Sequence, residues 1–287
     1  MNSKKILSGI VGVLLIAAMV AVLAGCASIE QRVFSGMKKL QDAKAMQGKL
    51  SMDATVDMDM AGMKQSIPMK MSMDMTRSGE DAAMKGTVST SLAGTAQEMA
   101  MDIYVKDGYT YTKVPGQDKY VKTKVTDLQS GINTSDQIIK LLKDVDLTKA
   151  KLAFEKTTLT VDGKSTPADK VKVSLPDDQT NKLMQSLIGD ALNNVGQGTQ
   201  NADVVKSLLN GLTMENFSFT LYLAGDNIAR EEVTMKITID LSKVETGAAG
   251  VTGSMAMDFN IGVDIVKTAD SLPITFPVFN ESNTTEQ

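Results

Sequence analysis

Leu50-Ser51-Met52-Asp53-Ala54-Thr55-Val56-Asp57-Met58-Asp59-Met60 alternates without a break, apolar at every even position and polar at every odd one. Successive side chains of an extended strand point to opposite faces, so this period of two describes a strand with one buried side and one wet side. A turn near Gly62 precedes a second run in which Met69, Met71, Met73 and Met75 oppose Lys70, Ser72, Asp74 and Thr76. Together the two runs predict a hairpin.

Downstream the pattern continues. Met84 to Leu92, then Met99, Met101, Ile103 and Val105, predict two further strands, with turn signals at Gly94 and Asp107-Gly108. Asp-Gly suits a two-residue hairpin turn, whose central residues take positive φ. Tyr109 to Lys113 and Asp118 to Lys122, on either side of Pro115-Gly116, make the next pair. Leu152 and Phe154 then fall on one parity and Leu159 and Val161 on the other, which predicts a bulge near Thr157-Thr158. Val171 to Leu175, Phe217 to Leu223, Val233 to Leu241 and Met255 to Ile265 bring the total to about eleven strands. The expected fold is mainly β: an antiparallel sheet of that size curls or closes.

Helical spacing appears in three places. Ile29, Val33, Met37, Leu40 and Ala43 recur every three or four residues and predict an N-terminal helix that covers the apolar face. Thr134 with Gln137 forms a capping-box pattern before a short helix that runs to Lys143. Leu183, Leu187, Ile188, Ala191 and Leu192, then Val204, Val205, Leu208, Leu209 and Leu212, predict a helical insertion around 177–212. Residues 280–287 are polar and are expected to fray.

The N-terminus carries an address. Lys4-Lys5, an apolar run from Ile6 to Val22 and then Leu23-Ala24-Gly25-Cys26 resemble a bacterial lipoprotein signal with its lipobox. This layout implies removal of residues 1–25, a diacylglyceryl group on Cys26, and a mature chain held at the extracytoplasmic face of the cell membrane. The run falls just short of the ~20 residues that a spanning helix needs. Cys26 is the only cysteine, so no internal disulfide is available and a single domain over 26–279 must stand on its core.

Composition excludes several functions. The precursor has a net charge of -4, and signal removal takes two lysines and no acids, which argues against a nucleic-acid surface. With no histidine in the chain, Ser-His-Asp and Cys-His machinery and the common zinc sites are ruled out. No Gly-x-Ser-x-Gly elbow or phosphate-binding glycine loop is present. Glu231-Glu232 is a carboxylate pair, but neighbours on a strand point to opposite faces and cannot share a substrate. Asp144, Asp146, Thr148 and Glu155 have calcium-loop spacing, yet Lys149 stands where the sharp turn demands glycine. Neither an enzyme nor a resident cofactor is expected.

Three readings fit the methionine-rich face. Methionine fills irregular core gaps; a flexible thioether and aliphatic wall without tryptophan suits a cavity for acyl chains of varied shape; and Met-x-Met repeats such as Met69 to Met75 offer soft ligands for Cu(I).

The element order, the Tyr104-Val105-Lys106-Asp107-Gly108-Tyr109-Thr110-Tyr111 hairpin, the following Lys119-Tyr120-Val121-Lys122 and the closing Leu272-Pro273-Ile274-Thr275-Phe276-Pro277 resemble the LolA-like bacterial lipoproteins, in particular the LppX and LprG type. The resemblance implies a half-open β-barrel with helices on its concave face, binding or shuttling a lipid or lipoprotein acyl chain. The expected cavity wall is Met58, Met71, Met73, Met101, Phe219, Met235 and Met257. A filled-core envelope scaffold that meets a protein partner is the alternative.

Overall fold

The structure is a computed structural model that describes residues 27–60, 63–92, 95–113, 116–125, 146, 149–183, 185, 211–244 and 253–286. Cys26, the turns near Gly62 and Gly94, the helix expected at 134–143 and most of the 177–212 insertion lie outside the described residues.

Helix α1 (Ala27–Asp42) leads into a meander of β1 (Ala45–Met60), β2 (Met63–Ser78), β3 (Asp81–Leu92), β4 (Thr95–Lys106), β5 (Tyr109–Lys113) and β6 (Tyr120–Lys124). A second meander contains β7 (Lys151–Val161), β8 (Lys164–Ser174), β9 (Leu212–Ala224), β10 (Asn227–Asp240) and β11 (Gly253–Ala269), and the short β12 (Thr284–Glu286) comes last. All twelve join one sheet in the order β12-β6-β5-β4-β3-β2-β1-β11-β10-β9-β8-β7. Its ladders are antiparallel except β12 on β6, which is parallel. The sheet is curved and not closed, a half-open barrel, and β7 comes into contact with β11 across the intervening strands.

Alternation sets the faces. Asp107 (φ 52°) and Gly108 (φ 78°) make the expected tight turn, and an Asp162-Gly163 turn of the same kind joins β7 to β8. From β1 through β4 and across to β11, the methionine parity stays on one side of every ladder. Helix α1 lies on that apolar side over β9 and β10. Its stripe places Val33 and Met37 among Val171, Val173, Phe219, Leu221, Leu223, Ile228 and Val233, the main core cluster. Each fully buried side chain of this kind contributes about 1.5–3 kcal/mol relative to exposure. Arg32 donates to Asp169 on β8 at 2.5 Å and to the Gly225 carbonyl in the β9–β10 turn at 2.6 Å. Gly36 allows the close approach, since a Cβ there would stand 3.1 Å from Ile228.

Four expectations change. The sheet has twelve strands because residues 284–286, read as part of a frayed tail, pair with β6, and Lys122 meets Glu286 at 2.7 Å. No bulge interrupts β7, which pairs with β8 in unbroken register from Lys151 to Val161. The parity change means that Leu152 and Phe154 use one face and Leu159 the other, where Leu159 is buried. Leu212, read with the helical insertion, instead begins β9. Helix α1 packs on the β8–β10 part of the apolar face, and on β1–β4 buried residues such as Met73 alternate with half-buried ones such as Met52, Met71 and Met101.

The polar face carries its own small core. After β11 the chain crosses it, and Phe276 and Phe279 pack on Tyr104, Tyr111 and Tyr120. Tyr104 is 1% exposed.

Candidate functional site

Register assembles the apolar face row by row. Val233, Ile261, Met52, Met71, Val88 and Met99 lie side by side across six strands. The next row is Glu231, Val263, Leu50, Met73, Gly86 and Met101. Ile237, Met257, Val56 and Ile67 form another, and Met58 sits between Met255 and Gln65 further along.

All seven residues expected to wall the cavity therefore share one face. Met73 and Phe219 are buried at 2% exposure each. Met58, Met71, Met101, Met235 and Met257 are half-buried. At the rim away from α1 the face opens to solvent through Met60 (42% exposed), Met63 (75%) and Met99 (38%).

A cleft of about 410 Å³ opens on the other side. By register its Asp53, Thr55, Lys70, Thr234, Lys236 and Asp258 share the polar face, and Met235 is the one expected cavity residue that borders it. The dip has a backbone cause: the register shifts between Thr234 and Lys236, and Asn216 takes a left-handed φ of 56°. The Asn216 N–H donates to Asp177 at 3.2 Å, which ties the shift to the helical residues 177–183. Cations here are matched, Lys70 to Asp53 at 3.1 Å and Lys236 to Glu215 at 3.9 Å.

Glu231 and Glu232 do point to opposite faces. On the polar side Glu232 accepts from the Tyr222 hydroxyl at 2.9 Å, and burial followed by that carboxylate pushes the phenol up to about 12. Arg230 on the same side is held by Asp264. Glu231, in contrast, stands on the apolar face between Leu221 and Val263 with 7% exposure, and desolvation alone pushes its carboxyl up to about 7. Sequence reasoning set this residue aside as half of a carboxylate pair, although counting back from Val233, Met235 and Ile237 places it on their side. Arg77 is a second polar intruder. It donates to the Ala43 carbonyl at 2.9 Å, its Nε is buried without a partner, and burial lowers its pKa.

Among the described residues, no group of three His, Cys, Asp or Glu side chains could hold a metal ion, and no helix is long and apolar enough to cross a membrane. The family described as "Family of unknown function (DUF6612)" matches residues 33–264. The chain belongs to this family. No curated protein matches the DUF6612 chain. Among solved structures it is similar to LprF from Mycobacterium bovis, with 13% identity and a TM-score of 0.34, covering 86% of this chain and 95% of that one. It is also similar to a putative outer membrane lipoprotein-sorting protein domain from Vibrio parahaemolyticus, with 9% identity and a TM-score of 0.21 over 84% and 92% of the two chains. A lipovitellin structure described for its lipid–protein interactions aligns with 8% identity and a TM-score of 0.30, over 82% of this chain and 26% of that one.

Proposed function

We propose that this protein is a cell-envelope lipoprotein, cut before Cys26 and anchored there by a diacylglyceryl group, whose single domain holds an acyl chain of a lipid or lipoprotein against its methionine face. The observation that carries the reading is the half-buried strip of Met52, Met71, Met101 and Met257 that ends in the exposed rim of Met60, Met63 and Met99. Thioethers on unbranched stems conform to chains of different shape. Each methylene taken from water contributes about 0.8 kcal/mol, so a long chain is held without a charged clamp and released by simple exchange. Met73 and Phe219 serve as the floor; Met58, Met71, Met101, Met235 and Met257 serve as the wall.

Uptake of a fluorescent acyl probe by the purified mature domain tests the proposal. Met52 and Met71 are direct cross-strand neighbours, so replacing both by tryptophan fills the strip while keeping it apolar. The expected result is uptake by the native domain and a loss of about tenfold or more in the filled variant, with circular dichroism unchanged. No uptake across several lipid classes, or equal uptake by the folded filled variant, favours a solid scaffold instead.

A further inference from the structure

Glu231 is out of keeping with its surroundings. Its cross-strand neighbours are Leu221 and Val263, its same-face neighbour on β10 is Val233, and its row continues through Leu50 and Met73 to Met101. The carboxyl has no hydrogen bond or ion pair among the described residues, and its environment acts on it by desolvation alone. Two arginines that share the apolar side are engaged elsewhere: Arg32 by Asp169 and Gly225, Arg77 by the Ala43 carbonyl. Arg230, one residue away, lies on the polar side with Asp264.

An unpartnered carboxyl buried on an apolar wall is costly to the folded protein, and a ligand that brings it a donor removes the cost. A ligand that brings a second anion adds repulsion in a medium of low dielectric. We propose that Glu231 is the polar contact of the acyl site: it takes a hydrogen-bond donor, a hydroxyl or a protonated amine, carried by the bound amphiphile, and it disfavours carboxylate and phosphate headgroups. The inference rests on the acyl-site reading above. The acyl chain lies along the methionine strip, and the donor end sits at the α1 end of the row, where Glu231 stands beside Val263 and Leu50.

Displacement of a fluorescent acyl probe from the mature domain tests the proposal, with a monoacylglycerol, an alkylamine and a fatty acid of equal chain length as competitors. In the native protein the two donors are expected to displace the probe at about tenfold lower concentration than the fatty acid. Glu231→Gln keeps the monoacylglycerol preference and loses the amine preference, which separates the hydroxyl source from the ammonium source. Glu231→Leu brings all three competitors to within about twofold. Both variants remove a buried carboxyl, and unchanged circular dichroism establishes that they fold. Normal probe uptake with the same headgroup ranking in Glu231→Leu as in the native protein overturns this inference and leaves the acyl site standing. Absence of uptake by the native protein overturns the acyl site and this inference with it.

Discussion

Tyr111 and Phe279 stack nearly face to face, with ring centroids 3.8 Å apart and planes 8° from parallel. Phe279 also meets Tyr104 and Tyr120 edge-on at 5.7 and 5.2 Å, so with Phe276 it fastens the segment after β11 to the polar face. Truncating a large buried aromatic costs about 3–5 kcal/mol, and for the half-buried Phe279 about 2–3 kcal/mol is expected for Phe279→Ala in urea unfolding. Val278→Ala, at 79% exposure, should stay within about 0.5 kcal/mol. Equal effects from the two would mean that the rings do not hold this segment.

Helix α1 depends on its end contacts as well as its apolar stripe. Arg32→Met removes the bonds to Asp169 and the Gly225 carbonyl while keeping an apolar stem. Charge-assisted bonds at a partly exposed site are worth about 1 kcal/mol. Amide exchange in α1 should accelerate by about fivefold to tenfold, with β1 and β2 unaffected. Exchange that rises uniformly over the sheet would show α1 and the sheet opening as one unit.

Glu231 makes stability depend on pH with a definite sign. Its folded pKa of about 7 lies above the ordinary 4.5, so the folded state binds the proton more tightly and stability falls as pH rises from about 4.5 to about 7. At about 1.4 kcal/mol per pKa unit the loss is about 3 kcal/mol, complete above pH ~7. Asp178, Asp240 and Glu286, lowered by Gln179, Ser242 and Lys122, contribute the opposite slope equally to native and variant. The stability gap between Glu231→Gln and the native protein should therefore widen with pH across that window. A gap that is the same at every pH would remove the carboxyl from the account.

Anchoring is tested at the only thiol. Cys26→Ala should leave an unprocessed precursor that incorporates no labelled fatty acid when expressed in a bacterium. Retained label would require another attachment point.

Strands and faces were legible because their signal is local: from Leu50 to Met60 each residue declares its side, and the ladders keep that parity through β2, β3, β4 and β11. Bulges were not legible in the same way. The true register shifts lie at Gln47/Gly48, Ile228/Arg230 and Thr234/Lys236, where crowding by neighbouring strands decides. A Cβ at Gly48, for instance, would fall 2.3 Å from the Asp264 carbonyl oxygen. The parity change at Thr157-Thr158 reflected apolar residues on both faces of β7, Leu152 half-buried on one and Leu159 buried on the other, which composition alone cannot separate from an inserted residue.

The tail misled because polar residues usually mean solvation. Here Asn280 Oδ1 accepts from the N–H groups of Ser282 and Asn283 at 3.0 and 3.2 Å, and Asn283 Oδ1 accepts from the Asn280 N–H at 2.9 Å. These side chains build a turn and deliver β12 to β6. The shared face of the methionines was readable from their parity, whereas the burial of Glu231 on that face emerged only from its neighbours across the ladders.

The strand order also dictates a sequence of events in time. Apart from β8 on β9, each meander pairs strands that are close along the chain, but β1 completes its second ladder only when Asp53 finds Asn260, near the other end of the chain. Contacts so distant along the chain form late. Until they do, β1 offers a free edge of 16 residues, a template on which a second copy could nucleate. Lys49, Asp53, Asp57 and Asp59, spaced along that strand, are charges of the kind that blunt an unpaired edge against a second copy.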